Sequence, residues 1–252
     1  MNFTGEIAIV NGGSSGLGYA TTKMLSKRGV RVAVFDLARA NDLDDIELSH
    51  FCECDVASEN SVYKSLQSVV NTLGKPRLLV NCAGIAVGKR IIARDAIHNL
   101  SLFEKVIRTN LTGTFNVIRL VVNEMRQLNV SGDSGSRGLI INTTSIAAFE
   151  GQIGQAAYSA SKGGVSALTL PLAREFSQFG IRVIGIAPGL VRTPMLEGMP
   201  IETQRRLEAG IPFPRRFGRP SEFAGLVGHI IDNELLNGEV IRLDGAVRLA
   251  PR

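Results

Sequence analysis

Tyr158 and Lys162 lie four apart in the stretch Ala157-Tyr158-Ser159-Ala160-Ser161-Lys162. At the start of a helix, that spacing puts both side chains on one face. A free phenol has a pKa of about 10 and accepts protons poorly near neutral pH. An ammonium held beside it favours the phenolate and makes the pair a usable proton acceptor and donor. Ser145 follows the run Leu139-Ile140-Ile141-Asn142-Thr143-Thr144. A hydroxyl at a strand's carboxyl tip is well placed to bond a substrate oxygen. Tyr-x-x-x-Lys alone also describes an ordinary helix surface, so the surrounding motifs must decide between the two.

Ile7–Val10 reads as a short strand and is followed at once by Asn11-Gly12-Gly13-Ser14-Ser15-Gly16-Leu17-Gly18. A helical apolar pattern through Ala20, Met24 and Leu25 comes next, ending near Gly29. Strand, glycine-rich turn and helix make the setting of a dinucleotide site. Glycines let the backbone approach a pyrophosphate, whose charge is met by N–H groups at the helix N-terminus. The spacing is Gly12-x-x-x-Gly16-x-Gly18, not the commoner Gly-x-Gly-x-x-Gly. The second strand, Val30–Phe35, leads to Asp36. A carboxylate there accepts hydrogen bonds from both ribose hydroxyls of adenosine and repels a 2′-phosphate, so NAD is expected over NADP. Arg39 is the nearby cation that opposes this reading. Beyond the third strand, Asp55 and Val56 are candidates for the adenine end, with Asp55 bonding the amino group or, alternatively, capping the next helix. The fourth strand, Leu78–Val80, runs into Asn81-Cys82-Ala83-Gly84, whose small residues let adenosine lie against the backbone.

At 252 residues and 44% hydrophobic composition, the chain can bury one sizeable core. Further strand-like runs at Phe51–Cys54, Leu139–Asn142, Val183–Ile186 and Glu239–Arg242 alternate with helical segments. This predicts an α/β fold, a doubly wound seven-stranded parallel sheet with helices on both faces, as a single domain over 1–252. A dinucleotide half of about 1–140 and a catalytic half of about 141–252 then meet at the carboxyl edge of the sheet. Residues 190–218 carry Met195, Leu196, Met199, Leu207 and Phe213, which suit either a substrate lid or ordinary core contacts. The polar, glycine-rich stretch Asn129–Arg137 reads as an exposed loop.

The net charge of +5 is spread among acids without an aromatic-interleaved basic patch, so no nucleic-acid partner is expected. A modest positive field suits phosphorylated ligands, with Arg215, Arg216 and Arg219 as candidate contacts. Cys52, Cys54 and Cys82 offer neither a disulfide framework nor a zinc site, and read as buried thiols in a reducing compartment. His50, His98 and His229 are widely spaced, and no metal is expected. The first residues enter a strand almost immediately and no apolar run approaches membrane-spanning length, so a cytoplasmic protein without a membrane partner is expected.

Gly12…Gly16-x-Gly18, Asn81-x-Ala83-Gly84, Asn110, Ser145, Tyr158-x-x-x-Lys162 and Pro188-Gly189 stand in one order along the chain. In this it resembles the short-chain dehydrogenase/reductase family over essentially its whole length. The resemblance implies a Rossmann fold and an NAD-dependent oxidoreductase that interconverts a secondary alcohol and a ketone. Tyr158 would be the catalytic acid and base, and Lys162 would lower its pKa while binding the nicotinamide ribose. Ser145 would orient the substrate oxygen, and Asn110 would hold a water linking Lys162 to solvent. Asn11 departs from the family pattern, where a threonine usually braces the glycine turn. Its amide can make a similar bond, so altered loop rigidity is expected and not lost binding.

Asn81–Val87, Gly113–Val121, Ala147–Gln152, Pro212–Pro214 and Asn237–Ala246 are also similar to the type 2 3-hydroxyacyl-CoA dehydrogenase branch, whose members accept hydroxysteroids too. That similarity implies an acyl-CoA thioester substrate and NAD contacts from Ser15, Leu17, Cys82, Val191 and Thr193, with Pro188 beside them. Family membership implies a homotetramer, for which the helix around Phe115 to Val122 is a candidate interface unless it faces the sheet. The rival readings are an NADPH-dependent 3-oxoacyl thioester (acyl carrier protein) reductase, a hydroxysteroid dehydrogenase, and an NAD-binding sensor or assembly subunit. Asp36 weighs against the first, and the joint presence of Ser145, Tyr158, Lys162 and Asn110 weighs against the last.

Overall fold

Four strands bury every side chain they carry: β1 (Ile7–Asn11), β4 (Leu78–Asn81), β5 (Gly138–Thr143) and β6 (Ile181–Pro188). Strands apolar on both faces need cover on both, which is the demand that a parallel sheet with crossover helices meets. In the computed structural model, which describes residues 3–40, 43, 46–47, 49–94 and 96–251, these strands form the centre of one sheet. Its order is β3-β2-β1-β4-β5-β6-β7, with β2 (Arg31–Asp36), β3 (Ser49–Glu53) and β7 (Val240–Leu243) completing it. Every pairing is parallel. The order reverses between β1 and β4, the crevice where open α/β sheets bind ligands.

Alternate residues of each strand feed opposite layers. Ile7, Ile9, Phe35, Leu79 and Ile140 pack with α2 (Glu59–Thr72), α4 (Gly113–Met125) and the C-terminal half of α5 (Ala156–Phe176). Ala8, Val10, Val34, Val80 and Ile141 pack with α1 (Gly16–Lys27) and α8 (Pro220–Asp232) through Leu25, Phe223 and Val227. In α4, Val117, Ile118, Val121 and Val122 face the sheet, while Phe115 points outward. Between β4 and α4 stands α3 (Leu100–Ile107), and between β6 and α8 stand α6 (Pro194–Glu197) and α7 (Ile201–Ala209). A third apolar cluster joins these last pieces to the sheet edge: Ile146, Leu196, Ile211, Phe217 and Val247.

The polar stretch Asn129–Arg137 is more constrained than its composition suggested. Buried Arg77, just ahead of β4, donates to the carbonyls of Asn129 at 3.2 Å and Arg137 at 3.1 Å, and pairs with Glu6 at 3.1 Å. Replacing Arg77 with Met would strip these carbonyls of their donors inside the protein, a loss of about 2–4 kcal/mol. The expected outcome is a melting temperature lowered by roughly 5–10 °C. A thermal melt indistinguishable from the parent's would contradict this role for Arg77.

Candidate active site

The carboxyl ends of the strands open into a cleft of about 1280 Å³. Its first wall is the glycine turn. Gly12 has φ +66, and a Cβ there would lie 2.6 Å from the Ala83 nitrogen. A Cβ on Gly18 would stand 2.0 Å from the Gly12 carbonyl oxygen, so the turn closes only with both positions bare. Gly13, which sequence reasoning did not single out, is also tight, its Cβ position 2.9 Å from the Val10 carbonyl oxygen. Ser15 caps α1 in an extended conformation without a side-chain bond to the helix, which leaves the first turn's N–H groups for a ligand. Across from them, Thr193 packs against Gly16, its Cγ2 3.2 Å from that residue's Cβ position.

Asp36, the last residue of β2, is fixed to this turn. Its Oδ2 accepts from the Ser14 N–H at 3.0 Å and its Oδ1 from the Leu37 N–H at 2.8 Å. Arg39 lies over the Phe51 ring, 5.8 Å from its centroid. Asp55 does not cap α2; that role falls to Ser58, and Asp55 instead accepts from the Ala57 N–H at 2.9 Å. Val56 is buried beneath Gly113, and Asn116 donates to its carbonyl at 3.0 Å.

Asn11 braces the turn that follows β4. Its Oδ1 accepts from the Cys82 N–H at 2.9 Å and the Ala83 N–H at 2.8 Å, while its amide donates to Asn81 Oδ1. Asn81 in turn donates to Asn142 Oδ1 at 2.7 Å. Three asparagines thus link β1, β4 and β5 across the floor. Asn11 thus bonds backbone as expected, but to the turn after β4 and not within the glycine turn itself.

Asn110 occupies a π-helical turn, Arg108–Thr112, between α3 and α4. Such turns often mark functional positions. Fully buried, it donates to the Ile85 carbonyl at 2.9 Å and to Ser161 Oγ at 3.0 Å, and accepts from the Ile85 N–H at 2.8 Å. Its side chain therefore stands behind the cleft wall and ties α5 to the turn after β4.

On the far side, Ser145 lies just past β5 and starts a short 3-10 turn, Ile146–Ala148, where its Oγ accepts from the Ala147 N–H at 3.1 Å. Tyr158 lines the same cleft as Ser145. Burial raises the Tyr158 phenol above the ordinary tyrosine range, and the Ser145 hydroxyl near it partly offsets that. Lys162 is buried, its Nζ donating to the Thr143 carbonyl at 2.7 Å and standing 6.0 Å from the Tyr158 ring centroid. Burial pulls its pKa down to about 8. In the chain alone, burial sets the direction of the Tyr158 shift. Burial also pushes the Cys82 thiol up to about 11, so it stays protonated against this site.

Gly12, Ser15, Gly16, Leu17, Gly18, Asp36, Asp55, Val56, Cys82, Ala83, Gly84, Pro188, Val191 and Thr193 share this one cleft with Ser145, Tyr158 and Lys162. Residues that sequence reasoning missed also line it, among them Arg90, Gln152, Ile153, Arg206 and Leu249. Arg206 lies on α7, and the others belong to loops and the C-terminal segment, where no periodic signal points to a site. Met195, Leu196, Met199 and Leu207 face the cleft from α6, α7 and the loop between them, whereas Phe213 lies outside its wall and is 80% exposed. Arg216 is engaged by Glu222 at 2.7 Å, and Arg215 belongs to a separate shallow hollow. Among the described residues no histidine lines the cleft, no group of side chains suits a metal ion, and no helix is long and apolar enough to cross a membrane.

The family model described as short chain dehydrogenase matches residues 6–203. A bovine (Bos taurus) protein named 3-hydroxyacyl-CoA dehydrogenase type-2 is 48% identical over 253 residues, spanning 98% of this chain and 97% of its own. A protein of the same name from Drosophila melanogaster is 47% identical over 97% of this chain and 98% of its own. The crystal structure of 3-hydroxyacyl-CoA dehydrogenase type-2 from Mycobacterium avium superposes with a TM-score of 0.93 at 41% identity, covering 99% of this chain and 98% of that one. With a glycine turn, a buried lysine and a serine–tyrosine pair meeting at the switch point of a seven-stranded parallel sheet, the chain belongs to the short-chain dehydrogenase family and is an oxidoreductase.

Proposed function

We propose that the protein oxidises 3-hydroxyacyl-CoA thioesters to 3-oxoacyl-CoA with NAD, or runs the reverse reduction. The observation that carries the chemistry is that Ser145, Tyr158 and buried Lys162 line one cleft together with the glycine turn. The residues present fit a dinucleotide: the turn is bare at Gly12 and Gly18, N–H groups open toward the cleft at Ser15 and beyond, and a carboxylate stands at the end of β2. Asp36 favours NAD, because its charge and its bond to Ser14 would oppose a 2′-phosphate at that spot. Arg39, engaged over Phe51, supports the same preference.

When bound, the nicotinamide supplies the acceptor for the hydride leaving the carbinol carbon. The chain's own groups handle the proton. Ser145 and Tyr158 bond the substrate hydroxyl, and the phenolate oxygen of Tyr158 takes its proton as the carbonyl forms. In the reverse direction the phenol returns that proton to the oxygen. Lys162 supplies positive charge beneath the site, and a ribose hydroxyl beside Gly84 would fall within its reach. The apolar side chains of Met195, Met199 and Leu207 suit an acyl chain, with 190–218 acting as its lid. Arg90 and Arg206, at the cleft wall, suit the phosphates of coenzyme A better than Arg216, which Glu222 holds. Phe115 and Leu170, both exposed on helices of one layer, suit burial in a homotetramer, and a cytoplasmic location accords with the free thiols.

Tyr158→Phe is expected to lower kcat on acetoacetyl-CoA by about a thousandfold or more while leaving the NADH dissociation constant within about twofold. Near-parental turnover would refute the mechanism. Because burial raises the phenol, oxidation is expected to accelerate from neutral to alkaline pH, as more of the base form becomes available. Reduction needs the phenol and should fall once pH passes its pKa; profiles of kcat/KM in both directions check the sign. For Asp36→Ser, the ratio of NADH to NADPH affinity is expected to fall by about tenfold or more, on the order of 1.4 kcal/mol. An unchanged ratio would remove Asp36 from cofactor selection.

A further inference from the structure

The segment Asp244–Pro251 leaves β7 and folds back over the piece of chain that joins Ser145 to Tyr158. Two successive residues, Gly245 (φ 60) and Ala246 (φ 63), adopt the left-handed conformation to make that reversal. For alanine this is a costly conformation, and it persists only where the surroundings impose it. The imposing contacts are visible. Glu150, two residues past the 3-10 turn that Ser145 starts, receives Arg242 at 2.9 Å and 3.3 Å, Arg248 at 3.2 Å and the Leu249 N–H at 3.0 Å. Asp244 binds the same two arginines at 2.7 Å and 3.2 Å. Farther along, the Ala250 carbonyl accepts from Gln152 Nε2 at 2.9 Å and the Pro251 carbonyl from the Ile153 N–H at 3.0 Å.

Apart from the Asp244–Arg248 pair within the tail, these bonds tie the tail and its root in β7 to each other and to residues 150–153. Val247 is meanwhile buried with Ile146 and Leu196, so an apolar anchor accompanies the charged one. The result is that Leu249 lines the same cleft as Ile153, Met195 and Met199 and packs against the cluster of Ile146, the neighbour of Ser145. We propose that this C-terminal segment, clamped through Glu150, is the substrate-side wall of the cleft, and that Leu249 sets the length of carbon chain the enzyme accepts. Glu150 is then a positioning residue that holds the wall against the catalytic segment. The inference rests on the reading of the cleft as a secondary-alcohol site, though not on the thioester in particular.

The experiment compares the parent with Leu249→Ala, Leu249→Phe and Glu150→Gln in the full chain. Each is assayed on unbranched 3-oxo substrates of increasing length, offered both as CoA thioesters and as simple ketones. Leu249→Ala is expected to shift the ratio of kcat/KM for long over short substrates upward by about tenfold, and Leu249→Phe to shift it down by a similar factor. The shift should lie in KM more than in kcat, with NADH affinity within about twofold. Glu150→Gln should blur length selection in the same way, and Glu150→Asp should partly restore it. Activity on ketones but never on thioesters would overturn the acyl-CoA reading while the length series still reports on Leu249. Length ratios that stay at the parental value in both Leu249 variants would overturn the proposal, whether or not Glu150→Gln folds.

Discussion

A lysine ammonium buried at the carboxyl edge of the sheet is the constraint around which this molecule is arranged. Lys162 is 4% exposed, and its charge is met by one backbone carbonyl, that of Thr143. Such a group is expensive to bury, as its depressed pKa of about 8 records. The surrounding chain is organised to keep it there. Thr144 Oγ1 donates to the Lys162 carbonyl at 3.0 Å, which locks α5 to the end of β5. Gly84 leaves room, since a Cβ at that position would lie 3.6 Å from Nζ and 3.2 Å from Asn110 Oδ1. Asn110 and Ser161 then join α5 to the turn after β4. Stability is given up at one point so that a cation stands beside the Tyr158 ring at the cleft.

The two halves of the chain are not separable at this floor. The asparagine ladder from Asn11 through Asn81 to Asn142 crosses from the first strand to the strand that leads to Ser145. Cofactor turn and catalytic serine therefore sit on adjoining rungs of one rigid sheet, the kind of support that holds reacting groups in place. The tail contributes on the opposite side, where charges from β7 and residues 244–249 converge on Glu150. The cleft is thus enclosed by parts of the chain more than two hundred residues apart.

Much of this was legible in the sequence because local pattern and position coincide. Apolar runs such as Ile7–Val10 and Leu139–Ile141 announce strands buried on both faces, and the glycine turn, the Asn81–Gly84 stretch and Ser145 each follow one of them. Parallel topology then forces those motifs to one edge. What could not be read depends on contacts between distant residues. Nothing local says that Arg77 will pin the stretch around Asn129, or that Glu150 will gather Arg242 and Arg248. Asn110 was identifiable as a site residue, yet its enclosure by Ile85 and Ser161 follows from a π-turn that no periodicity reveals. Phe213, which suited either a lid or a core contact by composition, is 80% exposed and lies outside the cleft. Proximity of Tyr158 to a cation is readable from spacing, whereas the depth of burial that raises its phenol in the chain alone is not.

The central claim is that Tyr158 titrates above an ordinary tyrosine in the free protein and is drawn down when positive charge is completed above Lys162. Its direct measurement is an ultraviolet difference titration of the phenol, parent minus Tyr158→Phe, with and without oxidised dinucleotide. The account expects a phenol pKa above about 10 in the free protein and a distinctly lower one in the complex. A Tyr158 phenol that titrates like a free tyrosine, and identically in both states, would contradict it.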